Sequence, residues 1–433
     1  MTAAAAAVGA PAEGLAARKA LRNSRYRALG FGAFAVLATY LASRSFDVPA
    51  QFSFWIDKQG GNSATLSTSV GALWVAAALA TGLVAVLQWV RGSEFRWRPW
   101  LLVAIAPWIA ALIGNLLAGK PAVMTNVLAG SLELAAPISM AAMAGILSER
   151  SGMFNIALEG KMLVGACVAA IVGSIVSLAT GSAVLAVLVA IVAAMLVAAL
   201  LGLLLAWLGI RHKVDQVIAG TVINVGAVGI TNFIFLRILT RATEFNSPPP
   251  VQAIRIPLLA DIPVLGPIFF VATPYVYVAY AIVAVLTYMI YRTRWGLRLR
   301  AAGEKPAAAG TVGINVLQIR YRALILAGLI CGLAGSYLSL ATSSSFQLQM
   351  TAGKGFIGLA AMIFGAWHPI GAFLAALVFG FADATQSLLS ILGVDVAPQI
   401  LQSIPYVVTI IVVAGVVGRV RGPASAGQPY EQG

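Results

Sequence analysis

The chain has 433 residues, of which 60% are hydrophobic and only 10% are charged. A soluble domain carries about 25% charged residues, so a chain this apolar could not cover itself with a polar surface and must use lipid as its solvent. The net charge of +14 would suit a nucleic-acid partner, but we exclude that class because the basic residues form short clusters between apolar runs, as in cytoplasmic loops of membrane proteins.

Apolar runs of membrane-spanning length recur along the chain. They lie at about residues 28–43, 67–90, 99–118, 124–147, 157–180, 182–210, 214–239, 270–291, 322–342, 355–367, 370–386 and 399–418. Most have about 20 residues, the length that a helix needs to cross a bilayer. The pattern predicts an all-α polytopic membrane protein with about 10–12 transmembrane helices. The two short runs around Trp367 are either joined spans or a re-entrant hairpin.

Clusters of Lys and Arg predict which loops face the cytoplasm. The segments 18–27, 91–98, 211–213, 292–322 and 419–421 hold 19 of the 28 basic residues. With twelve crossings all five segments fall on one side of the membrane, which the positive-inside rule makes the cytoplasmic side. We therefore expect both termini in the cytoplasm.

The runs divide the chain into a core and flanking parts. Residues 99–418 would form a ten-helix unit with both ends in the cytoplasm, and residues 28–98 an additional N-terminal transmembrane hairpin. Residues 1–27 are predicted to be a basic cytoplasmic N-terminus. Residues 419–433, rich in Gly, Pro, Ser and Gln, are predicted to be a disordered cytoplasmic tail.

A polar break interrupts the apolar sequence at residues 148–161, where four of the fourteen side chains are ionisable. Charges at membrane depth must face protein or a water-filled path, and irregular backbone there is tolerated only where it lines a cavity. Asn155 and Glu159 are four residues apart and would share a helix face, where an amide and a carboxylate could bond to sugar hydroxyls or base edges. The alternative is a plain cytoplasmic turn in which the four charges pair with one another.

A polar stripe is predicted on the apolar run at 214–239. Thr221, Asn224 and Asn232 are spaced three and eight residues apart, which places them on one helix face. Such side chains in membrane helices either line a pathway or hydrogen-bond to neighbouring helices. We treat them as candidate pathway residues, with interhelical bonding as the alternative.

The loop at 292–322 is strongly basic and contains a candidate short helix. The segment Glu304–Ala309 would form it, with Pro306 tolerated in the first turn and Gly310 or Gly313 at its end. A short helix across a cytoplasmic loop is suited to docking in a groove of a motor protein, and the alternative is a positive-inside loop without that role. No complete Walker A motif occurs in the chain, so ATP would have to be bound by another protein.

Five stretches, in order, resemble the permeases of one ABC importer superfamily, which serves branched-chain amino acids, ribose and nucleosides. They are Glu149–Ala166, Asp215–Gly220 with Asn224, Leu259–Pro267, Gly296–Pro306 and Gly353–Gly371. The resemblance covers about residues 130–418 and is greatest to the nucleoside-type subfamily. Residues 1–98 depart from the pattern, and the role of this extra hairpin stays open.

The resemblance implies an ABC importer permease-like bundle of about ten helices with an appended N-terminal hairpin, in a bacterial inner membrane. It also implies ABC ATPase subunits that hydrolyse Mg-ATP, a second homologous permease subunit in a heterodimer, and an external lipoprotein that delivers a small-molecule substrate. This chain itself would bind no cofactor or metal and would have no catalytic site. Coupling to the ATPase would involve Gly303, Glu304, Lys305, Pro306, Ala309 and Gly313.

Nucleosides are the predicted cargo, moved by alternating access, and a simple sugar or a branched-chain amino acid is the alternative cargo. A nucleoside would need an aromatic stacking surface beside hydrogen-bonding groups, for which Phe154 is a candidate. A secondary transporter driven by an ion gradient is a separate alternative, since broken helices occur in that class as well. A membrane-embedded enzyme is disfavoured, because the two histidines are far apart in sequence and the two cysteines lie in apolar runs.

Overall fold

The computed structural model describes residues 10–55, 63–95, 97–117, 119–394, 396–397, 399–401, 403, 421–428 and 430. Over these residues the chain is mainly helical and forms two compact units. The described residues of Met1–Thr125 and Thr385–Leu401 make up the first unit, and those of Asn126–Ala384 and Gln402–Gly433 make up the second.

The first unit joins three long helices to a small sheet. Its elements are α1 (Ala10–Ser43), β1 (Pro49–Trp55), β2 (Ser63–Ser69), α2 (Val70–Arg91), α3 (Trp97–Leu117) and β3 (Ala122–Val123). β1 pairs antiparallel with β2, with Pro49 opposite Ser69, and β3 adds to β1 in parallel, with Phe52 opposite Ala122. The Ser69 hydroxyl accepts the main-chain N–H of Ala72 and so caps the start of α2.

The boundary between the units lies at Thr125, whereas the sequence predicts the end of the N-terminal hairpin at residue 98. The difference arises because α3 packs within the first unit. Trp108 of α3 meets Trp74 of α2 edge-on, with ring centroids 5.1 Å apart, and Phe34 of α1 lies 5.5 Å from Trp108. These aromatic contacts stabilise α1, α2 and α3 as one group.

The second unit is a helical bundle. Its helices are α4 (Met124–Arg150), α5 (Leu158–Thr180), α6 (Ala183–Ile210), α7 (Gln216–Ile234), α8 (Leu265–Phe269), α9 (Pro274–Arg292), α10 (Arg294–Glu304), α11 (Pro306–Thr311), α12 (Val316–Tyr337), α13 (Lys354–Phe364) and α14 (Pro369–Ile391). The first two residues of α4 and the residues of α14 from Thr385 onward belong to the first unit. Short π-helical turns extend α7 to Leu239 and α12 to Thr342. The strands β4 (Ile254–Arg255) and β5 (Val271–Ala272) pair antiparallel between α7 and α9.

Eight described helices are long and apolar enough to cross a membrane, namely α2, α4, α5, α6, α7, α9, α12 and α14. They confirm the prediction of an all-α polytopic membrane protein. Three further predicted runs correspond to α1, α3 and α13, and the run at 399–418 lies almost wholly outside the described residues. α13 has only 11 residues and is joined to α14 by a tight turn in which Ala366 and Trp367 have positive φ.

Small residues bring the central helices of the second unit into backbone contact. A Cβ on Gly332 of α12 would collide with the carbonyl oxygen of Ala194 in α6. One turn earlier, a Cβ on Gly328 would lie 2.5 Å from the carbonyl oxygen of Ala198. Such close approach is the usual way in which membrane helices pack, because lipid supplies no hydrophobic drive for helix association.

Candidate functional site

The polar break predicted at 148–161 is a non-helical linker between α4 and α5. α4 ends at Arg150, Gly152 turns the chain with a φ of +89°, and α5 begins at Leu158. A left-handed φ of this kind is readily adopted only by glycine. The linker, residues 151–157, is tightly packed, since five of its seven residues are buried. It is therefore part of the protein interior and not a loose surface turn.

Asn155 connects the linker to both flanking helices. Its Nδ2 donates to the Ser148 hydroxyl of α4 at 2.8 Å, and its Oδ1 accepts from the Lys161 ammonium of α5 at 2.8 Å. Asn155 and Lys161 are both fully buried. Because Asn155 precedes the start of α5, it does not share a helix face with Glu159, contrary to the expectation from their spacing. Asn155 therefore fixes the linker to the end of α4 and the start of α5.

Glu159 lies in the first turn of α5 and binds the N-terminus of α13. Its Oε1 accepts the main-chain N–H of Gly353 at 2.9 Å, and its Oε2 accepts that of Gly355 at 2.7 Å. The first N–H groups of a helix lack intrahelical partners and carry partial positive charge, so a carboxylate stabilises them. A Cβ on Gly355 would lie 2.5 Å from the Glu159 nitrogen, which leaves no room for a side chain there.

α13 begins about halfway along the bundle. Near its start, Gly358 packs against Ala141, which lies in the middle of α4, with only 2.6 Å between the Ala141 Cβ and a Cβ built on Gly358. The loop at 343–353 must therefore enter the bundle to reach α13. Irregular backbone at that depth is tolerated in membrane proteins where it is buried in protein or lines a water-filled cavity.

The re-entrant loop, residues 343–353, is a candidate pathway element that was not predicted from the sequence. Gln347 and Gln349 are exposed, and Ser344, Gln349 and Ala352 have positive φ. Non-glycine residues in this region are strained and concentrate at functional sites. The sequence signal was a polar run directly after the apolar run of α12, which is unusual between two spans.

Asn246 anchors the first part of the re-entrant loop. Its Oδ1 accepts the main-chain N–H of Phe346 at 2.7 Å, and its Nδ2 donates to the Phe346 carbonyl at 3.0 Å. The Phe346 side chain is fully buried. At the end of the loop, Lys354 forms an ion pair with Asp383 of α14 at 3.8 Å. The exposed residues of the loop thus lie between two anchored points.

The predicted stripe on α7 does not form a common lining. Asn224 accepts the main-chain N–H of Gly160 at 2.8 Å and donates to the Ile156 carbonyl at 2.9 Å, so it bonds α7 to the linker. Thr221 is exposed, and its hydroxyl donates to the Val217 carbonyl within the same helix. Asn232 is half-buried, and within the described residues its Oδ1 has no hydrogen-bond partner. For Asn224 the geometry favours interhelical bonding.

Phe154 is half-buried in the linker, and its main-chain N–H donates to the Gln216 side-chain oxygen at 2.6 Å. Gln216 is the first residue of α7 and is itself buried. This bond is a second tie between α7 and the linker. A stacking role for the Phe154 ring stays a prediction.

The four charged groups of the break bond to partners outside the four, and Glu149 and Arg150 share one partner, Trp367. The Trp367 indole N–H donates to Glu149 Oε2 at 2.7 Å, and Arg150 Nη2 donates to the Trp367 carbonyl at 3.1 Å. Glu159 and Lys161 bond to the α13 N-terminus and to Asn155, as described above. The alternative of mutual pairing among the four charges is therefore not what this structure adopts. Instead, the turn between α13 and α14 is tied to the end of α4.

The predicted coupling segment consists of the end of α10, the short helix α11 and the residues that follow. The short helix begins at Pro306, two residues later than predicted, and Gly313 with a φ of +81° follows its end. Glu304 and Lys305 are exposed, whereas Gly303 and Ala309 are buried. A Cβ on Gly303 would collide with the Arg150 carbonyl oxygen, which places the end of α10 directly against the end of α4.

The tail differs in part from the predicted disorder. Residues 424–427 form a turn, and Ser425 is buried against the coupling segment. The order has a physical cause, because the Ser425 N–H and hydroxyl both donate to the Gly303 carbonyl at 2.9 and 2.6 Å. Residues 419–420, 429 and 431–433 lie outside the described residues.

Comparison with known proteins identifies relatives over most of the second unit. A family model described as "Branched-chain amino acid transport system / permease component" matches residues 127–414. The chain is 38% identical to the guanosine ABC transporter permease protein NupQ of Bacillus subtilis, over 72% of this chain and 98% of that protein. It is 36% identical to the nucleoside ABC transporter permease protein NupC of Lactococcus lactis, over 70% of this chain and 96% of that protein.

A third relative is named for a different cargo. The chain is 32% identical to the putative glucose ABC transporter permease protein TsgC13 of Haloferax volcanii, over 67% of this chain and 91% of that protein. No solved structure is significantly similar to the chain.

Proposed function

Because the chain belongs to the family of branched-chain amino acid transport system permease components, we propose that it is the membrane-spanning subunit of an ATP-driven importer of nucleosides. A permease component moves its cargo without converting it. The ABC assignment and the nucleoside cargo are supported by the two relatives at 36–38% identity, whose names specify nucleoside or guanosine transport.

The observation that carries a transport role is the half-length helix α13, with the Glu159 carboxylate on its N-terminus. Helices that start inside a membrane, with an unwound segment beside them, are typical of transport sites at the middle of the bilayer. The re-entrant loop supplies exposed amides at Gln347 and Gln349 that could bond to sugar hydroxyls or base edges. We propose that this loop, together with the linker, lines the substrate path.

The energy for transport is proposed to come from partner ATPase subunits that hydrolyse Mg-ATP. Glu304 and Lys305 are exposed beside α11, which suits a docking site for such a partner. The basic residues around α10 support a cytoplasmic position for this segment, and hence for both termini. We further propose a second homologous permease subunit in a heterodimer, an external substrate-binding lipoprotein and a bacterial inner membrane.

A sugar is the second candidate cargo, because the relative from Haloferax volcanii is named as a putative glucose permease. A nucleoside contains a sugar, so hydroxyl-binding groups alone do not separate the two cargoes. An aromatic or amide surface for the base would separate them. Uptake of both kinds of cargo is therefore measured in the test.

The test is uptake of labelled guanosine, with glucose, ribose and leucine as controls. The chain would be produced together with its neighbouring genes in cells that lack their own nucleoside importers. We expect guanosine uptake that requires this chain and stops when ATP is depleted. Uptake of only glucose, ribose or leucine would retain the permease and refute the nucleoside cargo. Uptake that follows an ion gradient instead of ATP would refute the ATPase partnership.

A further inference from the structure

The described part of the tail, residues 421–428 and 430, lies along the coupling segment; we refer to it as the strap. Pro423 and Ser425 are buried, and the Ser425 N–H and hydroxyl donate to the Gly303 carbonyl at the C-terminal end of α10. The last carbonyls of a helix have no partner within the helix. The strap therefore supplies a partner that α10 lacks.

The strap also reaches the linker and α12. The Gly427 N–H donates to the Gly152 carbonyl at 3.3 Å. Arg320 Nη1 in α12 donates to the Gln428 carbonyl at 3.2 Å, and the Arg320 guanidinium lies 5.8 Å from the Tyr430 ring. One short segment thus bonds to the end of α10, to the linker and to the first turns of α12.

The strap supplies contacts that the buried Arg320 guanidinium needs. Its side chain is only 2% exposed, and among the described residues its Nε and Nη2 have no acceptor. A buried guanidinium is costly unless its N–H groups are bonded, so its bond to Gln428 and the Tyr430 ring face matter for its burial. Loss of the strap would leave this cation still less satisfied.

The strap forms hydrogen bonds to two glycines, Gly303 and Gly152, which have no side chains to contact each other. The Gly303 and Gly152 backbones are in close contact, since a Cβ on Gly303 would lie 3.3 Å from the Gly152 nitrogen. Neither residue has a side chain with which to hold the other. The strap donates to the carbonyls of both, through Ser425 and Gly427.

We propose that the strap is a positioning element that fixes the coupling segment to the linker, so that movement of α10 and α11 is passed to the substrate path. The proposal rests on the proposed function, because it requires an ATPase that moves the coupling segment. The strap itself contacts neither ATP nor cargo. Its role is to prevent the coupling segment from moving independently of the linker.

The test compares cargo moved per ATP hydrolysed, using the complete importer in proteoliposomes with guanosine as cargo. The first variant ends at residue 420. The second is Ser425→Ala, which removes the one hydrogen bond that the hydroxyl donates, at 2.6 Å to the Gly303 carbonyl and 3.3 Å from that of Ala302. Gln428→Ala is the matched control, because its side chain is exposed and Arg320 bonds to its main-chain carbonyl. Membrane insertion and co-purification of the ATPase are measured for each variant.

We expect the truncated chain to insert and to retain its ATPase, while guanosine moved per ATP falls about tenfold. Ser425→Ala should lower this ratio about threefold, as for one lost hydrogen bond. Gln428→Ala should leave it unchanged. If the truncated chain fails to insert, Ser425→Ala decides alone.

An unchanged ratio in Ser425→Ala and in any truncated chain that inserts would overturn the strap proposal. So would a parallel fall of uptake and ATP hydrolysis, since that indicates only fewer folded molecules. If the unaltered importer moves no guanosine on addition of ATP, the proposed function itself has failed, and the strap proposal fails with it.

Discussion

Several single side chains in the second unit form hydrogen bonds to two separate groups, and Glu159 is the clearest case. Its carboxylate occupies the place where two main-chain N–H groups of α13 would otherwise be unsatisfied inside the bundle. Glu159 therefore fixes the start of α13 and the end of the re-entrant loop, together with the ion pair between Lys354 and Asp383.

Replacement of Glu159 by alanine should destabilise the second unit by about 2 kcal/mol, because both N–H groups lose their acceptor. Glu159→Gln should lose less, since an amide oxygen can still accept from one N–H. SDS-induced unfolding of the purified chain measures both. Thr221→Ala is the control, because Thr221 is exposed and bonds only within its own helix. Equal stability of the alanine variant and the unaltered chain would contradict this role.

Asn155 and Lys161 are hydrogen-bonded to each other, so replacing one of them should destabilise the protein more than replacing both. Asn155→Ala should cost about 3 kcal/mol, because it leaves a fully buried ammonium without its amide partner. The double variant Asn155→Ala with Lys161→Met should recover most of this loss, since both polar groups are then gone. The same unfolding assay applies. A double variant no more stable than the single one would show that Lys161 does not depend on Asn155.

At the scale of elements, the sequence predicted the existence of most helices better than their contacts. The lengths of the apolar runs predicted α4 to α7, and the positions of Pro and Gly predicted the short coupling helix. The bond from Glu159 to Gly353 spans 194 residues, and no local pattern indicates which helix terminus a carboxylate will meet. For the same reason the α7 stripe was open to two interpretations until Asn224 could be placed beside the linker.

Charge reversal in the coupling segment tests that element directly. Glu304→Arg should abolish ATP-dependent uptake while membrane insertion is unaffected, because Glu304 is exposed and a new cation would disturb the proposed ATPase contact. Guanosine uptake and membrane content of the protein are the measurements. Glu94→Arg is the matched control, an exposed reversal in the first unit. Normal uptake by Glu304→Arg would count heavily against the coupling assignment.

At the scale of the whole molecule, composition alone was sufficient to predict a polytopic helical membrane protein. The position of the unit boundary was not predictable, because α3 is as apolar as the helices of the second unit. Its assignment depends on aromatic contacts of Trp108 with residues of α1 and α2. The family match begins at residue 127, close to the boundary at Thr125, so comparison and structure agree on where the shared core starts.

This agreement predicts that most of the first unit can be removed. A chain that starts at Trp97 keeps α3 and all of the second unit, and we expect it to insert and to retain ATP-dependent guanosine uptake. Insertion and uptake would be measured as for the intact chain, with a chain ending at Ala384 as the negative control. Normal insertion with complete loss of uptake would give the first unit a direct part in transport.

The strap also has a consequence for how the protein is made. Gln428 is translated 108 residues after Arg320, the buried cation to which it bonds. While α12, α13 and α14 enter the membrane, this bond cannot yet exist, and Arg320 must obtain its hydrogen bonds from water at the end of α12. Burial of the guanidinium is therefore among the last events of biogenesis, and a chain released before residue 421 lacks the contacts that the strap makes with Arg320 and the coupling segment.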